Sequence, residues 1–156
     1  MSIAENEQVL PLVELITDID TLPLVSILLY DYEGHELDRC LHSIFNHHHI
    51  INFEVLICDD ASEDGAWDIA LEYSEKFKGQ ISLNRNKQPL GKKLTKEKGL
   101  LMCKGEFCVE LTSSTPFKPL YVLDVINRLK ADQFYRHFYI NRLKTHSIYQ
   151  PLHNPI

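Results

Sequence analysis

Residues Phe53 to Gly65, FEVLICDDASEDG, decide the fold of this chain. A mostly apolar run leads directly into two adjacent carboxylates, Asp59 and Asp60, and then into a turn of small residues and an acidic helix start. This pattern predicts a buried strand that delivers both aspartates to the carboxyl edge of a sheet, where open α/β sheets bind ligands. The structural alternative is that both side chains cap the turn and the next helix. Mutual repulsion of neighbouring carboxylates favours the ligand interpretation.

Strand and helix patterns alternate along the rest of the chain. Strands are predicted at residues 24–30, 53–58, 81–83 and 107–111, with an edge strand at 134–140. Helices are predicted at 35–46, from an N-cap at Ser62 to residue 79, at 92–103 and at 119–131. Connections of this length predict a mostly parallel sheet with helices on both faces, a three-layer α/β sandwich. We expect a loosely attached leader at 1–22, one domain at 23–146 and a frayed tail at 147–156.

Charge and composition exclude several classes of protein. The net charge of −6, from 22 acidic and 16 basic residues, argues against nucleic-acid binding. The sequence contains no apolar run of about 18 residues, the length that would predict a membrane span. The N-terminus lacks the pattern of a signal peptide. The four cysteines form no CxxC pair, which favours a reduced, cytoplasmic setting. The acidic start of the chain and the basic stretch at 117–146 have two explanations. Both are solvated surfaces, or the basic stretch forms a face that docks on a partner domain or an anionic surface.

Several short motifs, in this order and spacing, resemble the nucleotide-sugar-binding half of family 2 glycosyltransferases of the GT-A fold. They are PLVSILL at 23–29, LHSIFN at 41–46, NFEVLICDDASEDG at 52–65, LG at 90–91, KGL at 98–100 and KGEF at 104–107. The resemblance covers about residues 23–131. It implies transfer of a sugar from a nucleotide diphosphate, with a UDP-sugar as the favoured donor, to an acceptor hydroxyl.

The resemblance also assigns candidate binding residues. Tyr30 and Asp31 end the first strand near the base, and Asp60 matches the aspartate that accepts a hydrogen bond from the uracil ring, with Asp59 beside it. A carboxylate suits this task because it only accepts hydrogen bonds. Lys96 occupies the position where relatives carry an arginine near a phosphate. A lysine keeps the positive charge there but cannot form the paired hydrogen bonds of a guanidinium group.

The chain departs from the family at the metal motif. Relatives carry an Asp-x-Asp element that holds Mn²⁺ or Mg²⁺ against the diphosphate, whereas this sequence has Thr112, Ser113 and Ser114 there. Neutral hydroxyls are weak ligands for a hard cation, so the expected cation is disfavoured. Glu110 is one substitute, but strand alternation leaves its direction open. We find no catalytic base, and a partner domain for the acceptor is a further expectation.

Two other clusters have simpler explanations. His47 and the next two histidines cannot all face one ion, so a surface loop is favoured over a metal site. The lysines that follow Gly91 lack P-loop spacing, which favours a solvated helix face, although Lys92 or Lys93 could assist an anion at the helix start. Two hypotheses follow: a nucleotide-sugar-binding transferase domain, or a non-catalytic GT-A domain that positions a partner protein.

Overall fold

The computed structural model describes residues 24–47, 50–111, 117–131, 140–143 and 146–149. The predicted leader, the metal-motif positions Thr112, Ser113 and Ser114, and most of the predicted edge strand at 134–140 lie outside these ranges. Among the described helices, none combines the length and the apolarity needed to cross a bilayer.

Six strands and four helices make up the described part of the chain. The strands are β1 (Val25–Leu29), β2 (Phe53–Asp59), β3 (Ile81–Arg85), β4 (Phe107–Leu111), β5 (Ile140–Leu143) and β6 (His146–Tyr149). The helices are α1 (Gly34–Phe45), α2 (Ala66–Lys76), α3 (Lys92–Met102) and α4 (Pro119–Ala131). The sheet order is β3-β2-β1-β4-β6-β5, with β1 to β4 parallel and the last two strands antiparallel. The predicted mostly parallel α/β sandwich is therefore confirmed.

Alternation along the strands divides the core into two layers. Side chains such as Ile27, Val55 and Val109 face one side, where they pack with α1, α2 and α4. Leu28 and Leu56 face the other side, where they pack with residues of α3 and its C-terminal end. Because helices cover both faces, the central strands are buried on both sides and are mostly apolar.

The second helix begins later than its sequence pattern predicts. Ser62 is not its N-cap, because α2 starts at Ala66 after Gly65 in the left-handed conformation. The backbone N–H and the hydroxyl of Ser62 both donate to Asp59 instead. Asp64 Oδ1 accepts from the Ala66 N–H at 3.1 Å, so the acidic residue closer to the helix supports its first turn.

The C-terminal end also differs from its prediction. Residues 147–149, expected to be frayed, belong to β6, which pairs with β4 inside the sheet. The last described pair of strands is therefore part of the architecture, and the frayed-end prediction is wrong for these three residues. Short polar-apolar runs such as HSIY carry little periodic signal by themselves, and here pairing with β4 determines the structure.

Candidate functional site at the carboxyl edge of the sheet

The predicted binding residues converge at the carboxyl edge of the parallel strands. Tyr30 and Asp31 follow β1, Asp59 and Asp60 lie at the end of β2, and Lys96 projects from the first half of α3. Tyr30 is half-buried and packs on the α3 side of the sheet. The fold brings all five together because parallel strands end at one edge and α3 begins there.

Asp59 is buried and bonded to groups of its own chain. Its carboxylate accepts from the Ser62 N–H at 3.0 Å and from the Ser62 hydroxyl, and it forms an ion pair with Arg85 Nε at 3.1 Å. The Tyr32 hydroxyl lies 3.5 Å away, and burial together with the nearby Asp59 charge raises the pKa of Tyr32. These contacts tie the β2 turn to the end of β3, as the structural alternative expects.

Asp60 is half-exposed and fastens the loop that precedes α3. Its Oδ1 accepts from Leu90 N–H at 2.7 Å and from Asn86 Nδ2 at 2.9 Å, and its Oδ2 accepts from Gly91 N–H at 2.9 Å. The Leu90 bond is the largest of the effects that lower the pKa of Asp60. Because hydrogen bonds to the charged form stabilise it, this carboxylate stays ionised at neutral pH.

Asn86 is a residue that the sequence analysis missed. It is buried, and besides its bond to Asp60 its Nδ2 donates to Thr95 Oγ1 at 3.0 Å while its Oδ1 accepts from Lys98 Nζ at 3.0 Å. Its backbone N–H donates to the Asp59 carbonyl at 2.8 Å. Asn86 thereby connects β2, the polar loop and α3. A polar residue directly after a strand was the available signal, but polar loop residues are usually solvated.

Two lysines on one face of α3 reach back to the sheet edge. Lys92 Nζ lies 2.8 Å from Asp31 Oδ2, a contact that raises the pKa of Lys92, and Lys96 Nζ lies 2.7 Å from Glu110 Oε1. The side chain of Lys96 is 29% exposed and that of Glu110 is 7% exposed. Glu110 therefore points toward α3, which settles the direction that alternation left open. The two positive residues of these pairs lie on α3, and the two negative residues lie at the ends of β1 and β4.

The described residues do not fit a tightly held divalent cation at this edge. Glu110 is the buried carboxylate of β4, and the Lys96 ammonium already lies against it. A cation there would have to compete with an ammonium group, and the sequence offers only hydroxyls at the next positions, Thr112, Ser113 and Ser114.

The described part of the chain holds one other group of metal-ligand side chains, Glu33, His35 and Glu36 at the start of α1. These residues are largely exposed, and such acidic groups are common at helix starts. His42, in the last turn of α1, has its Nδ1 3.2 Å from Asn46 Nδ2, and the two histidines after His47 in the predicted histidine loop lie outside the described ranges.

Comparisons with known proteins agree with this architecture. A solved structure of a mannosyltransferase from Pyrobaculum calidifontis, in complex with GDP-Man and Mn²⁺, superposes with a TM-score of 0.63 at 21% sequence identity. The match covers 74% of this chain and 34% of that protein, so the chain spans about a third of its length. No curated protein matches the sequence. The family model for glycosyl transferase family 2 matches residues 25–152, and the chain belongs to that family.

Proposed function

We propose that this domain binds a nucleotide-diphosphate sugar at the carboxyl edge of its sheet and takes part in glycosyl transfer. The observation that carries the proposal is that a partly exposed, ionised Asp60 lies at the same sheet edge to which Lys92 and Lys96 reach from α3. Family membership supports it, since the family transfers sugars from such donors. The resemblance favours a UDP-sugar, whereas the mannosyltransferase was solved with GDP-Man, so both bases are candidates.

The proposed roles follow from the chemistry of each group. Asp60 accepts from a base N–H or a ribose hydroxyl, and Tyr30 and Asp31 lie beside the nucleoside. Lys96 and the start of α3 attract the diphosphate, because an ammonium group and a helix N-terminus both favour anions. Asp59, being buried, would support Asp60 by fixing the β2 turn. Because we identify no catalytic base, we place the acceptor site and the base on a partner domain.

The test is ligand-induced thermal stabilisation. UDP or GDP should raise the melting temperature of the domain, since a ligand that binds only the folded state stabilises it. The variant Asp60→Asn should lose this increase, measured from its own unliganded melting temperature, whereas Asp68→Asn on the exposed start of α2 should keep it. If neither nucleotide shifts the melting temperature, with or without Mn²⁺, the proposal is wrong.

A second candidate function is a non-catalytic domain that positions a partner protein. One observation favours it: Leu94 and Leu101 lie seven residues apart on one face of α3 and are 49% and 88% exposed. Large apolar side chains on one exposed face are typical of a contact surface. Nucleotide binding distinguishes the two candidate functions, because the positioning role does not require it.

A further inference from the structure

We propose that the ammonium group of Lys96, and not a divalent cation, neutralises the diphosphate of the bound donor. This inference rests on the proposed function and adds to it the way in which the charge of the donor is balanced. It starts from the disagreement between the metal that the family implies and the residues that this chain carries.

The metal-motif positions of this chain are uncharged. Where relatives carry carboxylates, this sequence has Thr112, Ser113 and Ser114. Carboxylates at these positions would repel a diphosphate unless a cation lay between them. With hydroxyls there, that repulsion is absent, and so is the set of anionic oxygens that a hard cation requires.

Lys96 lies beside the buried carboxylate of β4. Its Nζ lies 2.7 Å from Oε1 of Glu110, so the ammonium is held where β4 approaches its carboxyl end. An apolar residue at position 110 would be ordinary in a buried central strand, and a buried carboxylate there is stable because it has a cationic partner. Glu110 thus serves to orient the ammonium group.

The Lys96 side chain is also accessible. At 29% exposure it can be reached by an anionic ligand at the sheet edge. Lys92, one turn earlier on the same face of α3, adds a second and more exposed cation, which pairs with Asp31 at the surface. The two ammonium groups together carry the same formal charge as one divalent cation.

The experiment is calorimetric titration of the wild-type domain with UDP and with GDP, in EDTA and in Mn²⁺. We expect the same affinity in both conditions. Binding that disappears in EDTA and returns with Mn²⁺ would overturn this inference and leave the proposed function intact. Absence of binding in both conditions would overturn both. The metal comparison uses the wild-type protein, so it does not depend on how any variant folds.

Variants of Lys96 test whether its positive charge binds the diphosphate. Lys96→Gln should weaken diphosphate binding in EDTA by about tenfold or more, the usual effect of losing a charge-assisted hydrogen bond, while Lys96→Arg should retain most of it. Binding of the uncharged nucleosides uridine and guanosine should not change. The matched control is Lys78→Gln. Lys78 is an exposed lysine just beyond the end of α2, and it pairs with Glu75. Equal loss for nucleoside and diphosphate would mean that Lys96 only supports the structure, which contradicts the inference.

Discussion

Asp59 and Asp60 are adjacent in sequence, yet their carboxylates stabilise different parts of the structure. Asp59 holds the β2 turn against Ser62 and Arg85, while Asp60 holds the loop before α3. The sequence indicated that both lie at the sheet edge, because an apolar run followed by two acids admits few other placements. It could not divide their tasks, since the partners of Asp60 are backbone N–H groups 30 and 31 residues away.

The burial of Asp59 leads to a prediction about stability. Asp59→Ala should lower the free energy of unfolding by about 2–3 kcal/mol, because it removes the acceptor of the partly buried Ser62 N–H and the carboxylate partner of Arg85, which keeps only the Ser62 carbonyl as acceptor among the described residues. This loss of stability is small for the removal of one partner of a buried ion pair, because the Arg85 side chain is partly solvated. Urea denaturation measures it, with Glu63→Ala in the same exposed turn as a control that stays near wild type. A loss no larger than that of the control would contradict the structural role of Asp59.

The lowered pKa of Asp60 predicts a pH dependence of stability. Because its folded-state pKa lies below the ordinary value of 3.8, the stability it contributes is fully present above that value. It is lost as the pH falls below 3.8 and through the folded-state pKa. Asp60→Asn should therefore reduce the loss of stability on acidification from about pH 5 to pH 3. Part of the loss should remain, since the N–H groups of Gly34 and Ala66 also lower the pKa of Asp64.

Denaturant unfolding at a series of pH values tests this dependence. Glu63→Gln is the control and should keep the wild-type slope. An unchanged slope in Asp60→Asn would show that the bonds from Leu90 and Gly91 do not favour the charged form.

At the scale of elements, α3 is the helix that positions the candidate site. Its sequence limits were predicted within one residue, because Gly91 precedes the lysine-rich run and Gly105 follows it. The sequence did not show how closely the helix approaches the sheet. A Cβ added at Gly99 would lie 2.4 Å from Leu28 Cδ1 and 2.9 Å from Cys58 Sγ, so the helix packs here with no room for a methyl group.

The close contact at Gly99 predicts the effect of a single methyl group. Gly99→Ala should destabilise the domain by about 1–2 kcal/mol, since overpacking a buried contact outweighs the better helix propensity of alanine. Moving α3 outward should also weaken nucleotide binding, because Lys92 and Lys96 move with it. Thermal unfolding and nucleotide titration of the same variant measure the two effects. The control is Glu97→Ala, on the exposed side of α3, and a Gly99→Ala variant as stable as this control would contradict the packing.

In the sheet as a whole, the four parallel strands were predictable and the arrangement of the two antiparallel strands was not. Strands β1, β2 and β4 are mostly apolar runs, β3 begins with a short one, and helical patterns separate them, which indicates an α/β sandwich. The order β3-β2-β1-β4 places the carboxylates of β2 and β4 on either side of β1. The insertion of β6 between β4 and β5 depends on long-range pairing, which local sequence patterns do not encode.

The position of β6 makes a prediction for the whole domain. A chain that ends at residue 145 should be less stable and should associate, because the backbone donors and acceptors of β4 lose their partner along one edge. Thermal unfolding and size-exclusion chromatography compare it with the full chain. A truncated chain that unfolds and elutes like the full chain would show that β6 does not contribute to the sheet.

Residue-resolved NMR titration shows whether a nucleotide diphosphate binds where β1, β2 and α3 meet. Backbone amide signals of the ¹⁵N-labelled domain are followed while UDP or GDP is added in EDTA. We expect saturable shifts at Tyr30, Asp31, Asp60 and the α3 start from Lys92 to Lys96, with little change along α2. Shifts that are absent from these residues, or that concentrate elsewhere on the domain, would contradict binding at this site.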